Sequence, residues 1–516
     1  VTTAKRRPRY KLVDRSPRFL PVVLAEQIQP GTFEFALDHL VDHELDLSAL
    51  DAKFSNDEVG ASAYDPRVML KIVLLAYSRG LVSSRGIEHA CLHHVQFLAI
   101  SGDSQPSYTH IAKFVRELKD QIQPLFTQVL LTCDRMGLIG RQMFAIDGVK
   151  LPSNASKARS GTHEELKHRA LRLDKAADKI LALHQAQDAG GDSAQALDAK
   201  RQARIDELRR EAQATRDFVA CNEPRRNDRG QELKSNVTDP DSAKMATGKG
   251  VMQGYAAQAA VDSENQIIVA AEVTGSGSEQ HMLLPMIEAT AAVRAPDTLI
   301  TADAGYHSND NVRALCEAAI PALVADNAMR QRDERFAEQA KHKAKGEVLA
   351  DKRARGESPN PKVKGFFGTG DFVFHGDNTC TCPAGCTLRS SGALYKVGLY
   401  LRQDFKASAS DCTSCAQRAQ CIRKPDAARR TVALHTRMPD DPQDPLHRMR
   451  QAIDSPRGRR LYSQRIATVE PVFANLRHNK RLSRFTLRGK DKVGTQWRLF
   501  CLVHNIEKIA HTGERS

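Results

Sequence analysis

Two short phrases in the chain pair an aspartate with a turn: Phe144-Ala-Ile-Asp147-Gly148 and Leu299-Ile-Thr-Ala-Asp303-Ala-Gly305-Tyr306. An apolar run that ends in Asp-Gly or Asp-Ala-Gly reads as a buried strand delivering a carboxylate at its exit. Two such strands in one sheet place two carboxylates side by side. Carboxylates are hard ligands suited to Mg²⁺ or Mn²⁺. A pair of such ions, about 3.5–4 Å apart, carries out phosphodiester chemistry: one activates the attacking oxygen and the other steadies the leaving oxygen. A single Asp after a strand is more often a turn residue, so the reading needs a third acid.

Glu470 is the candidate, within Leu461-Tyr-Ser-Gln-Arg-Ile-Ala-Thr-Val-Glu470-Pro-Val-Phe-Ala-Asn-Leu-Arg477. On an ideal helix Glu470 and Arg477 share a face. Tyr462 lies within about 80° of Glu470, and Arg465 is off that face. Pro471 lacks an N–H, which predicts a kink or restart. The competing reading is a surface glutamate paired with a neighbouring arginine.

The elements that must position these acids follow from the pattern along the chain. With 516 residues the chain is too long for one core, so several domains are expected. Residues 1–135 read as a basic arm followed by helices. Pro66 opens one helix, Ser84 caps a second starting at Arg85, and Ser107 caps a third through Leu118. Short helices joined by tight turns suit either a helix-turn-helix-like DNA-binding region or a plain helical bundle. Residues 140–325 read as the first part of an α/β core. Its hairpin joins Gly254–Asp262 to Gln266–Thr274, and a last strand runs from Ile320 to Val324, placed at an edge by Pro321. Residues 163–218 form an inserted helical hairpin broken at Ala189-Gly-Gly-Asp192. Residues 326–430 are an insertion beginning with a charged excursion at 327–362, and residues 431–516 return as helices carrying the third acid. His281 and His307 flank the second aspartate region and read as packing or hydrogen-bonding residues.

The chain carries 76 Lys+Arg against 62 Asp+Glu, a net +14. From Arg423 to Arg498, 19 basic residues face 7 acidic ones, so 12 of the 14 excess charges lie there. A run this one-sided, including Arg457-Gly-Arg-Arg460 and Lys480-Arg481, favours a phosphate-contacting surface. No stretch approaches the roughly 18 apolar residues of a membrane span. Lys5-Arg6-Arg7 is followed by polar sequence rather than a signal-peptide core. A cytoplasmic, nucleoid-associated protein with no membrane contact is expected.

Of 11 cysteines, Cys91, Cys133, Cys221, Cys316 and Cys501 are scattered, as reduced core residues are. The other six fall in two knots, Cys380-x-Cys382-x3-Cys386 and Cys412-x2-Cys415-x5-Cys421. Two knots with a Pro383-Ala-Gly385 turn resemble a zinc ribbon, for which four of the six suffice. Disulfides are the alternative, disfavoured in a reducing compartment.

In its joint motif order the chain resembles DDE-type transposases of bacterial insertion sequences. They belong to the superfamily with the tyrosine-arginine-glutamate-lysine signature, and the nearest match is the group numbered eleven eighty-two. The motifs are Ser84-Arg-Gly-Ile-Glu88, Asp147-Gly-Val-Lys150, Thr238-Asp-Pro-Asp-Ser242, Lys249-Gly-Val-Met-Gln-Gly-Tyr255, Ala302-Asp-Ala-Gly-Tyr306, Val469-Glu-Pro-Val-Phe473 and Arg484-Phe-Thr-Leu-Arg-Gly489. The resemblance implies an α/β ribonuclease-H-like catalytic core with an all-helical N-terminal region, an inserted helical hairpin and a cysteine-rich insertion. It implies Asp147, Asp303 and Glu470 as ligands of two Mg²⁺ or Mn²⁺ ions. Tyr462 and Arg465 fall at the signature tyrosine and arginine, which contact DNA near the cleaved phosphate. Arg477 falls at the lysine, with Lys480 and Arg481 on the same basic stretch. Four residues separate Arg465 from Glu470, one more than the usual spacing. The implied reaction is metal-dependent strand cleavage and strand transfer by a homodimer acting on the element's inverted repeats and target DNA. A DNA-binding regulator, an inactive domesticated copy and a metal-dependent nuclease on the same core are the alternatives.

Overall fold

The computed structural model describes residues 22–54, 62–188, 195–227, 230–248, 250–336, 366–397, 400–422, 424, 426–437 and 441–512. The basic arm, the break at Ala189–Asp192 and most of the charged excursion lie outside these residues. The chain divides into two compact units, one of residues 1–324 with 457–516 and the other of residues 325–456.

The first unit begins with helices. These are α1 (Phe33–His39), α2 (Pro66–Ser78), α3 (Ser84–His93), α4 (Val95–Ser101), α5 (Tyr108–Glu117) and α6 (Ile122–Arg135). Pro66 sits at the first position of α2, where its missing N–H costs nothing, and the Asp65 side chain caps the Arg67 N–H. Nearly every residue from Met69 to Tyr77 is buried, so α2 is covered on all sides. The cap of α3 is Ser83, one residue earlier than expected: its hydroxyl accepts from the Gly86 N–H, and Ser84 is already helical.

A mixed sheet follows: β1 (Met143–Pro152), β2 (Ala243–Thr247), β3 (Gly250–Asp262), β4 (Ile268–Thr274), β5 (Leu299–Ala302) and β6 (Ala322–Val324). Its order is β2-β3-β1-β5-β6, with β4 also paired to β3. Strands β3 and β4 are antiparallel to their neighbours, whereas β5 and β6 run parallel to β1. An antiparallel hairpin beside β1 and two parallel strands on its other side are consistent with a ribonuclease-H-like core. Buried Asp262 ties off the β3–β4 turn, accepting from the N–H groups of Glu264 and Asn265 at 3.0 Å and of Gly140 at 3.1 Å.

Between β1 and β3 the chain makes the helical hairpin, α7 (His163–Asp188) and α8 (Gln195–Cys221), whose seam buries Ala177, Ile205 and Leu208. After β4 come α9 (Leu283–Ala289), β5, α10 (Asn309–Glu317) and β6. The chain returns to this unit with α11 (Pro456–Ala474) and α12 (Lys490–Thr512). Helix α12 packs against β4 on one side and against α1, α2 and α6 on the other. Trp497 donates to the Gln258 carbonyl at 3.0 Å, and the Asn505 amide bonds both the N–H and the carbonyl of Ile268 at 2.9 Å. Tyr77 of α2 meets Phe500 at 4.9 Å between ring centres. The helical region and the sheet thus share one core through α12.

The second unit carries an antiparallel sheet of β7 (Val373–Phe374), β8 (Thr379–Thr381), β9 (Thr387–Arg389), β10 (Leu394–Val397), β11 (Tyr400–Lys406) and β12 (Thr431–Arg437). Phe372, Cys380, Leu388, Phe405, Ala407 and Val432 form one buried cluster beneath this sheet.

Candidate active site

Strand β1 does not stop at Asp147, as the Asp-Gly pair suggested, but runs five residues further. Its pairing with β3 continues from Phe144↔Asp262 to Pro152↔Gly254 and holds it extended. The exit is on the other edge. Pairing of β1 with β5 ends at Ile146↔Ala302, so Asp147 and Asp303 are the next residues in one parallel register. Two aspartates 156 positions apart in sequence therefore emerge together where adjacent strands part.

Each is shaped by its own turn. The Gly148 N–H donates to Asp147 at 2.7 Å, and the Gly305 N–H donates to Asp303 at 2.8 Å. Neither glycine sits at positive φ; each is needed for space. A Cβ on Gly148 would lie 2.6 Å from the Gln258 amide, and one on Gly305 would lie 2.9 Å from the Glu279 carboxylate.

Glu279 is the acid that sequence reasoning missed. It precedes α9 and stands beside Asp303 across the Gly305 turn. Burial raises its pKa; Lys150 counters this, while the charges of Asp303 and Asp147 raise it further. Asp147 is also raised, by burial first; Arg465 and the Gly148 N–H oppose the shift and Asp303 adds to it. Three acids thus share one negative region. The only sequence trace was an acid in a Gly/Ser-rich loop, Gly275-Ser-Gly-Ser-Glu279, which carries no motif.

Helix α11 supplies the cation. Buried Arg465 donates from Nη1 to Asp147 at 2.6 Å, and its guanidinium lies 5.6 Å from the centre of the Tyr462 ring. Burial raises the Tyr462 pKa, with Asp303 and Asp147 adding to it, so the phenol keeps its proton. Tyr306, fully buried, donates to the Gln258 side chain behind the pair. Tyr462 and Arg465 therefore stand at the carboxylates.

Glu470 does not join them among the described residues. It is exposed and makes no hydrogen bond or ion pair there. The reason is helical phase: five residues at about 100° each put Glu470 roughly 140° around the helix from Arg465. Arg465, Thr468, Val469 and Val472 form the buried face, whereas Ile466, Glu470 and Arg477 are exposed. Pro471 does not restart the helix, which continues to Ala474 before a wider turn at Asn475–Asn479. The carbonyl of Ala467, four residues back, accepts from the Gln266 side chain at 3.4 Å in place of the missing N–H.

The expected DNA-contacting cations separate. Arg477 and Arg481 are exposed, and Arg481 sits at φ +57° against Gly80. Lys480 is a correction: it is buried and paired with Glu507 at 2.6 Å, so it is a structural cation fixing the end of α11 to α12. His281 shares a hydrogen bond with Thr274 at 3.2 Å, as a packing histidine does.

No group of three or more His, Cys, Asp or Glu side chains among the described residues is drawn in tightly enough to hold a metal ion. The donor chemistry nevertheless suits a hard divalent cation, because the acids near Asp147 outnumber the cations that act on them.

Three family models match the chain. A model described as "Transposase domain (DUF772)" covers residues 22–117, and two described as "Transposase DDE domain" cover residues 229–379 and 381–510. The chain carries DDE-type transposase domains. Most of the helical region, the part of the core that follows the helical hairpin, and the C-terminal helices fall within these spans, whereas residues 118–228, with β1 and the hairpin, fall in none. Asp303 and Glu279 fall in one DDE span, Tyr462, Arg465 and Glu470 in the other, and Asp147 in neither. No curated protein and no solved structure matches the chain. Among the described residues no helix is long and apolar enough to cross a membrane.

Proposed function

We propose that this chain is the transposase of a bacterial insertion sequence of the group numbered eleven eighty-two, cutting DNA at its element's ends and joining it to a target. The observation that carries the reading is the parallel register that brings Asp147 and Asp303 out side by side. These two would hold Mg²⁺ or Mn²⁺. When bound, the ions supply an activated water or 3′-hydroxyl and neutralise charge on the phosphate. Arg465 meanwhile balances Asp147, and the protonated Tyr462 offers a donor to a phosphate oxygen close by.

Two acids compete for the third place. The resemblance favours Glu470, and the geometry favours Glu279. Exposed Arg477 and Arg481 fit the DNA backbone. The protein acts in the cytoplasm at the nucleoid, as a homodimer that aligns two element ends. In the second unit, zinc held among the six cysteines serves structure.

The test is a cleavage and strand-transfer assay on DNA carrying the inverted repeats that flank the gene. Asp147→Asn and Asp303→Asn should each abolish Mg²⁺-dependent cleavage and leave DNA binding intact. Full activity in either variant refutes the site. Cleavage without joined product would identify a nuclease, and specific binding without cleavage by the wild type would identify a regulator or a domesticated copy.

A further inference from the structure

The motif Arg484-Phe-Thr-Leu-Arg-Gly489 is not among the residues gathered at the carboxylates, yet the fold holds it firmly. Phe485 is fully buried, edge-on to Tyr255 with ring centres 6.1 Å apart, and its N–H donates to the Pro152 carbonyl at 2.9 Å. Buried Gln496 of α12 accepts from the Thr486 N–H at 3.0 Å and donates to the Thr486 hydroxyl at 2.9 Å. The two arginines of the motif are left exposed.

Both arginines turn to one residue. Arg484 donates from Nη2 to the Asn154 side-chain oxygen at 3.0 Å and to the Ser153 carbonyl at 3.4 Å. Arg488 donates from Nε to the Asn154 carbonyl at 2.7 Å. The Asn154 amide nitrogen donates to the Thr486 carbonyl at 2.9 Å, which keeps its oxygen toward Arg484. Two guanidinium groups are thus pinned by neutral oxygens, and among the described residues neither makes an ion pair. We propose that Arg484 and Arg488 form a clamp for phosphates of the DNA backbone, oriented by Asn154. The inference rests on the DNA-cutting reading above and adds to it a contact surface outside α11.

Neutral partners orient an arginine without cancelling its charge, whereas the buried Lys480–Glu507 pair cancels its own. A guanidinium has five N–H donors in one plane. Arg484 keeps Nε and Nη1, and Arg488 keeps both Nη groups, for an acceptor outside the chain. Exposed Lys490 adds a third positive charge. The acids beside it are engaged. Asp239 accepts from the Tyr255 hydroxyl at 2.6 Å and the Gly489 N–H at 3.1 Å, and Asp241 accepts from the Lys490 N–H at 2.8 Å. Both sit at the N-terminus of α12, whose positive end offsets their charge. Asp491 pairs with Lys119 at 2.7 Å. Planar forks already held in place suit the paired oxygens of a phosphate and lose little freedom on binding it.

The clamp also lies within reach of the cut. Asn154 follows Asp147 by seven residues, the first five of them in β1. At about 3.3 Å per residue the two are no more than about 23 Å apart. That spans about seven phosphates of one DNA strand at 3.4 Å each.

The experiment measures affinity of the full-length chain for DNA carrying the element's end, as a function of salt. Arg484→Ala and Arg488→Ala should each lessen the slope of log affinity against log salt by about 0.9. Asn154→Ala removes no charge. It should keep the wild-type slope and weaken binding about fivefold through lost orientation, and wild-type affinity there overturns its positioning role. A role in folding alone would lower the melting temperature and leave the slope unchanged. Should the alanine variants fail to fold, the double variant Arg484→Lys, Arg488→Lys decides, because it keeps charge and loses the forks. Binding about tenfold weaker at the wild-type slope supports the clamp, and wild-type affinity overturns it. Wild-type slope and affinity in both alanine variants, with Arg477→Ala still lessening the slope, overturn the clamp and leave the DNA reading intact. A wild type that does not bind element-end DNA overturns both.

Discussion

The carboxylate site of the first unit and the cysteine cavity of the second are built in opposite ways. Asp147 and Asp303 meet because two strands far apart in sequence pair in a fixed register. The cysteines meet because tight turns and one short segment bring them together within a small sheet unit. The first site depends on packing across the whole first unit, since α11 and α12 hold Arg465 and the sheet in place. The second depends on local geometry: the turn at Pro383–Gly385 and the short segment from Cys412 to Cys421. Long-range register therefore positions carboxylates whose charge is partly balanced by protein, and local turns gather the cysteines.

The largest expected effect tests which acid completes the carboxylate site. Glu279→Gln and Glu470→Gln should split in the cleavage assay. The true third ligand should lose on the order of 10³-fold or more, equivalent to about 4 kcal/mol of barrier, while the other stays within about tenfold. Glu279→Gln should also raise the melting temperature at neutral pH, because burial and its acidic neighbours make the ionised form unfavourable in the fold. A melting temperature that falls would remove Glu279 from the acidic cluster.

Next in size is the buried pair that anchors α11. Lys480→Met leaves Glu507 without its cation and should cost about 3 kcal/mol of stability in the first unit. Zinc retention in the second unit should not change. If zinc were lost together with that stability, the two sites would not be independent and the contrast between them would fail.

His504 gives an effect of similar size that depends on pH. Buried in α12 and bonded to the Gln266 carbonyl at 2.9 Å, it has its pKa pushed down to about 4. The unfolded chain takes up that proton near pH 6.5 and the folded chain only near 4, so stability is present above 6.5 and is lost as pH falls toward 4. The loss amounts to about 3 kcal/mol at about 1.4 kcal/mol per unit. Urea midpoints followed from pH 7 to 4 should show this slope in the wild type and lack it in His504→Gln. Identical slopes would place the titration elsewhere.

The smallest effect concerns DNA. Arg477→Ala and Arg481→Ala should each lessen the slope of log affinity against log salt by about 0.9 if each meets one phosphate. Lys480→Met should leave it unchanged. An unchanged slope in both arginine variants would move the DNA surface away from the end of α11.

Much of the fold was legible because its signals are local. Pro66 before an apolar run marked a helix start, alternation from Gly254 to Thr274 marked a hairpin, and Pro321 marked an edge strand. The aspartates were legible because each ends an apolar run and is followed by a turn glycine, and both glycines make room for neighbouring side chains. Errors arose where a neighbour overrode local grammar. Pro471 did not break α11, because Gln266 satisfies the freed carbonyl. Lys480 looked like part of a basic stripe, and Glu507 from the next helix buried it.

The sequence by itself determined which residues can do chemistry: two turn-bearing aspartates, a Tyr462–Arg465 pair on one helix, and two knots of cysteine. Only the tertiary structure decided which of them meet. Strand register set Asp147 beside Asp303, and helical phase turned Arg465 inward and Glu470 outward. A loop with no motif delivered Glu279. Side-chain type and turn chemistry are properties of a few adjacent residues. Register, phase and burial are set by contacts hundreds of residues apart, and no local pattern encodes them.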